Sequence, residues 1–107
     1  VYNYLLNKTT FAKSKGINKI ILDIGIGFGK NTQDNLLLLN RIEEFYSLGF
    51  PIMTGISRKS FLGIKENNND LKDSLTLALN SIQIEKEVDF IRVHNVKLHK
   101  QLLDLVR

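Results

Sequence analysis

Along this chain, stretches with apolar residues at helical spacing alternate with three short runs that are almost wholly apolar. The runs are Ile20-Ile21-Leu22-Asp23-Ile24, Ile52-Met53-Thr54-Gly55-Ile56 and Phe90-Ile91-Arg92-Val93-His94-Asn95. They predict strands over about 18–24, from Pro51 through the second run, and over about 88–93. A first helix is expected over about 2–15, closed by Gly16 as the residue after its C-cap. A second is expected over about 33–48, capped by Asn31 or Thr32. Its apolar positions Leu36, Leu39, Ile42, Phe45 and Tyr46 recur at helical spacing, and Gly49 ends it. A helical turn over about 59–64 leads into a polar stretch from Lys65 to Asn69. The run Asn67-Asn68-Asn69 reads as a solvated loop. Asp70 is expected to cap a third helix over about 71–86, with Asp73 at its N3 position. A last helix covers about 96–106, with His99 as a solvated residue on it.

The order α-β-α-β-α-β-α implies parallel strands joined by crossover helices. The strands begin about 33 and 37 residues apart, the spacing of βα units in a (β/α)8 barrel or a doubly wound sheet. Three parallel strands alone leave both sheet edges open. The first helix also has no strand before it, and the chain starts with Val. The economical expectation is α/β: residues 1–107 as one partial domain, the C-terminal three βα units of a TIM barrel of roughly 250 residues.

Composition narrows the function classes. Of the 107 residues 43% are hydrophobic, there are no cysteines, and the net charge is +4. Disulfides and thiolate metal sites are excluded. No apolar window reaches membrane-spanning length, and Val1-Tyr2-Asn3-Tyr4 does not read as a signal peptide. A cytoplasmic protein with no membrane partner is expected. The basic residues are dispersed over the helices and form no nucleic-acid motif, so no nucleic-acid partner is expected.

Each strand ends in polar residues, the place where parallel α/β proteins build sites. Gly25-Ile26-Gly27-Phe28-Gly29-Lys30 is neither a P-loop nor a dinucleotide fingerprint, because Ile24 and Asn31 break the first and Lys30 the second. It either lets a ligand approach the backbone closely or merely reverses the chain. Asp23 lies on the strand face opposite Ile20 and Leu22. It either points into the barrel mouth, suited to the N–H donors of a planar heterocycle, or caps the following loop or pairs with Lys59. Ser57-Arg58-Lys59-Ser60 offers cations and hydroxyls to an anion, or is an exposed basic turn. Arg92 and His94 share a strand face and form an anion clamp, or are a salt-bridged Arg and an interior His. No HExxH, metal cluster or nucleophile elbow is present.

In order, Leu22-Asp23-Ile24-Gly25-Ile26-Gly27-Phe28-Gly29-Lys30, Gly55-Ile56-Ser57-Arg58-Lys59-Ser60 and Ile91-Arg92-Val93-His94-Asn95-Val96 closely resemble the dihydropteroate synthase family. The resemblance covers essentially the whole chain and corresponds to strands six, seven and eight of that family's barrel. It implies a homodimeric (β/α)8 transferase of folate biosynthesis. Such an enzyme joins 6-hydroxymethyl-7,8-dihydropterin pyrophosphate to p-aminobenzoate and releases pyrophosphate with magnesium assistance; sulfonamides compete with p-aminobenzoate. By resemblance, Asp23, Gly27 and Lys59 contact the pterin and Arg58 packs against its face. Phe28 walls the p-aminobenzoate pocket and Ser60 meets that substrate's carboxylate. Arg92 and His94 bind the pyrophosphate, and Lys59, Arg92 and His94 form the catalytic set.

Four positions depart from the family pattern. Ile24 stands where Pro is usual and Asn95 where Asp is common after the His. Asp73 and Asp70 stand where Gly and a preceding Arg are common. The last two are expected to touch a helix start, away from the ligands. The protein ligand for magnesium is expected outside this fragment, which alone should be inactive. The alternatives are a related pterin-binding methyltransferase barrel and a non-catalytic remnant that keeps the anion site.

Overall fold

The computed structural model describes residues 1–64 and 68–107. Residues 65–67, part of the expected polar loop, lie outside the described residues. The elements are α1 (Tyr2–Ser14), β1 (Leu22–Asp23), α2 (Thr32–Asn40), a 3-10 segment (Ile42–Leu48), β2 (Ile52–Thr54), a 3-10 turn (Ser60–Leu62), α3 (Asn69–Glu85), β3 (Phe90–Ile91) and α4 (Val96–Val106). The strands form one parallel sheet in the order β1-β2-β3. Leu22 pairs with Ile52 and Asp23 with Met53, then Met53 with Phe90 and Thr54 with Ile91. The alternating α/β order and parallel pairing are therefore as expected. The ladders are shorter than the apolar runs.

Local signals account for most boundaries. Gly16 adopts φ +85° after α1. Its N–H reaches the Lys13 carbonyl and that of Ile17 reaches Ala12, a complete Schellman closure. Asn31 caps α2, its side chain accepting the Asp34 N–H at 2.8 Å. Two expectations fail. The continuous helix over 33–48 divides at Arg41 into α2 and a 3-10 segment. Leu39, Ile42, Phe45 and Leu48 recur every three residues, a spacing that suits a 3-10 turn as well as an α-helix. All four pack in or against the core, whereas Leu36 is exposed. The cap of α3 is Asn68, which accepts the Leu71 N–H at 3.0 Å. Asp70 sits inside the first turn, where its charge complements the helix dipole.

The core lies between the sheet and the outer helices. Leu22, Ile24 and Ile26 are buried there with Ile52, Ile56, Leu39, Ile42, Phe45, Leu5 and Val88. The other sheet face carries Ile21, Asp23, Met53 and Phe90, and Ile21 and Phe90 are about half exposed. In a closed barrel this inward face is filled by layers of side chains. The polar strand ends project from one end of the sheet.

Candidate functional site

Asp23 lies on the inward face, as alternation requires, and is half-buried. One carboxylate oxygen accepts the Gly25 N–H at 2.8 Å. The other faces the Arg92 guanidinium at 3.8 Å. The loop-capping role is thus present, and the cation opposite Asp23 is Arg92 rather than Lys59. The second oxygen keeps lone pairs able to accept further hydrogen bonds.

The glycine loop is folded by its own polar contacts. Gly25, Gly27 and Gly29 all have positive φ. Gly27 donates to the side-chain oxygen of Asn35 at 2.8 Å, and Asn35 is fully buried on α2. Lys30 closes the loop by donating to the Gly25 and Phe28 carbonyls. Phe28 is left 66% exposed, with the Lys59 ammonium 4.7 Å from its ring centre. A Cβ on Gly27 would lie 2.7 Å from Lys59 Cδ. The glycine is therefore needed for backbone conformation and for the path of Lys59. Sequence reasoning missed Asn35. Its signal is a single amide at the start of the leucine run 36–39.

The turn after β2 is buried at Gly55, Ile56 and Ser57. Lys59 crosses to the first loop and donates to the Ile26 carbonyl. Burial pushes its ammonium below the ordinary lysine range, Arg92 adds to the shift, Asp23 opposes it, and Lys30 adds a smaller push. Arg58 has a left-handed backbone, φ 56°. Its guanidinium pairs with Asp73 of α3 at 2.8 and 3.1 Å. Asp73, expected from sequence near a helix start, is in addition bonded to the turn after β2. Ser60 is exposed and opens only a three-residue 3-10 turn.

Arg92 and His94 both extend from the exposed side of the chain after β3, while Ile91 and Val93 are half-buried. The Arg92 guanidinium passes over Gly55, where a Cβ would come within 2.7 Å of it. Ser57 Oγ accepts the His94 backbone N–H at 3.1 Å and lies 2.8 Å from its Nδ1. Ser57 Oγ thus holds the His94 ring in place through Nδ1. Gly55, Ser57, Lys59, Arg92, Val93 and His94 line a cavity of about 160 Å³. Lys59, Arg92 and His94 thus meet around one small space with Asp23 beside it. Arg58 lies outside that lining.

His99 is not solvated. It is buried, its Nδ1 2.9 Å from the Asn95 carbonyl and its Nε2 2.9 Å from the Asn80 amide. Helical spacing brings it back over Asn95, and α3 covers it. Among the described residues, no three His, Asp or Glu side chains gather as a metal site, and no helix is long and apolar enough to cross a membrane.

Residues 1–94 match the family model of pterin-binding enzymes. The dihydropteroate synthase of Clostridium beijerinckii is 41% identical over 100 residues, which is 90% of this chain and 37% of that protein. The crystal structure of dihydropteroate synthase from Thermus thermophilus in complex with 4-aminobenzoate superposes with a TM-score of 0.89 at 31% identity. It covers 97% of this chain and 43% of that one. The same enzyme in complex with 6HMPPP gives the same TM-score and identity. These neighbours are TIM barrels, and the present fold corresponds to part of one. The chain spans about two fifths of the length of such relatives.

Proposed function

The chain belongs to the pterin-binding enzyme family, and from that premise we propose that it works as the C-terminal part of a dihydropteroate synthase. The reaction joins 6-hydroxymethyl-7,8-dihydropterin pyrophosphate to p-aminobenzoate. The observation that carries this reading is the meeting of Lys59, Arg92 and His94 around one cavity beside Asp23. The Thermus thermophilus relative, solved with 4-aminobenzoate and with 6HMPPP, supports the choice of substrates.

The amine of p-aminobenzoate attacks the methylene carbon of the pterin. The carbon–oxygen bond to pyrophosphate breaks, the pyrophosphate leaves with the electron pair, and the amine sheds a proton. Arg92, Lys59 and the His94 ring stabilise the charge that develops on the leaving group. Asp23 Oδ2 orients the pterin by accepting its N–H groups, Gly27 lets the ring approach the backbone, and Arg58 packs near its face. Phe28 and Ser60 receive p-aminobenzoate. No protein nucleophile is required. Magnesium, when bound, offsets pyrophosphate charge; the described residues do not build its site, and no step here passes through it. The working form is a cytoplasmic homodimer. Full-length protein supplied with both substrates should form dihydropteroate, and sulfonamides should inhibit in competition with p-aminobenzoate. Pyrophosphate binding without turnover would instead identify a non-catalytic anion-binding remnant.

A further inference from the structure

The left-handed backbone of Arg58 is a conformation that non-glycine residues rarely hold without support. Two residues of α3 supply it. Thr76, fully buried, accepts the Arg58 backbone N–H at 3.3 Å. Asp73, 6% exposed, grips the guanidinium through both carboxylate oxygens. This fork-to-fork geometry fixes direction as well as charge. The Asn95 amide also donates to Asp73 at 3.4 Å, while the Asn95 oxygen caps α4 through the Leu98 N–H. Asp73 therefore joins the β2 turn, α3 and the start of α4. The next residue along the turn from Arg58 is Lys59, whose ammonium spans to the glycine loop.

Positions 73 and 95 are neighbours in space, the Asn95 amide donating to the carboxylate that holds Arg58. We propose that Asp73 is a positioning residue for the Arg58–Lys59 turn, its charge fixing the guanidinium from the start of α3. Asp73 bonds the Arg58 fork directly, and position 95 adjoins that carboxylate. The Arg58 bond, the largest influence, holds the Asp73 carboxyl below its ordinary range despite burial. The role rests on the dihydropteroate synthase reading, since the turn it sets holds Lys59 against the substrates.

The test uses the full-length protein with Asp73→Asn, and Asp73→Asn combined with Asn95→Asp. The single substitution should raise KM for the pterin pyrophosphate about tenfold, the scale of one charged hydrogen bond. Its kcat should stay within about threefold, because chemistry-facing groups are kept. The double variant should recover KM to within about threefold of the parent. An unchanged KM in the single variant, or a double variant no better than it, would overturn the proposal. Carboxyl titration by carbon NMR gives a readout independent of turnover. Asp73 should titrate below the ordinary range in the parent, and position 95 should take over that low titration in the double variant. An ordinary titration of Asp73 in the parent would overturn the proposal even in a protein that forms no dihydropteroate. Absence of turnover with the titrations as expected would reject the enzyme reading alone.

Discussion

The loop after β1 and the turn after β2 bring polar groups to the same mouth, yet they are held in different ways. The first is tied to groups close in sequence, from Asp23 to Asn35, and to Lys59 through the Ile26 carbonyl, and its tip at Gly27, Phe28 and Gly29 is exposed. The second is buried through Ser57 and anchored to residues far along the chain: Asp73 and Thr76 of α3, and His94 after β3. The turn after β2 is thus preorganised by tertiary contacts. The glycine loop is more local and open to solvent. Substitutions at the second should cost stability and binding together. At the first, stability and binding should separate at exposed side chains such as Phe28, though not at Gly27.

Ser57→Ala should show the largest coupled loss. It strips both the backbone N–H and Nδ1 of His94 of their partner, at about 1–3 kcal/mol in urea unfolding, with weaker pyrophosphate binding alongside. Loss of binding without loss of stability would break the contrast. Gly27→Ala tests it from the other side. A side chain at φ +85° costs about 1–2 kcal/mol, and the new Cβ displaces Lys59, so this one loop position should also lose both. A smaller effect comes from Lys59 itself. Its depressed pKa means that above that value, up to the unfolded 10.5, the unfolded chain holds more protons. Stability should therefore rise with pH across that window, and Lys59→Met should remove the rise. Smallest in stability is Phe28→Ala, within about 0.5 kcal/mol because the ring is exposed. Calorimetric titration should nevertheless register weaker p-aminobenzoate binding.

Much of this was legible in the sequence because it depends on local chemistry. Alternation placed Asp23 opposite Leu22 and put Arg92 and His94 on one strand face, and Gly16, Asn31 and Gly49 marked element ends. What was not legible depends on partners distant in sequence. His99 reads as a solvated helical residue until α3 brings Asn80 against it. Asp73 reads as a first-turn acid until the left-handed turn at Arg58 swings a guanidinium onto it. The division of the second helix escaped because apolar residues three apart satisfy either helical period. Asn35 was missed because its partner is a backbone N–H of the preceding loop.

The central claim is that the strand ends form the pterin and pyrophosphate side of a synthase site. Its most direct test is calorimetric titration of the full-length protein and its Arg92→Ala variant with two ligands, the pterin pyrophosphate and the same pterin without pyrophosphate. Arg92 is more than half exposed, so the fold should survive the substitution. The account expects the pyrophosphorylated ligand to lose about 1.5–3 kcal/mol, as for hydrogen bonds to charged groups, and the other ligand much less. Equal losses for the two would mean that Arg92 supports the barrel and does not hold phosphate, contradicting the account.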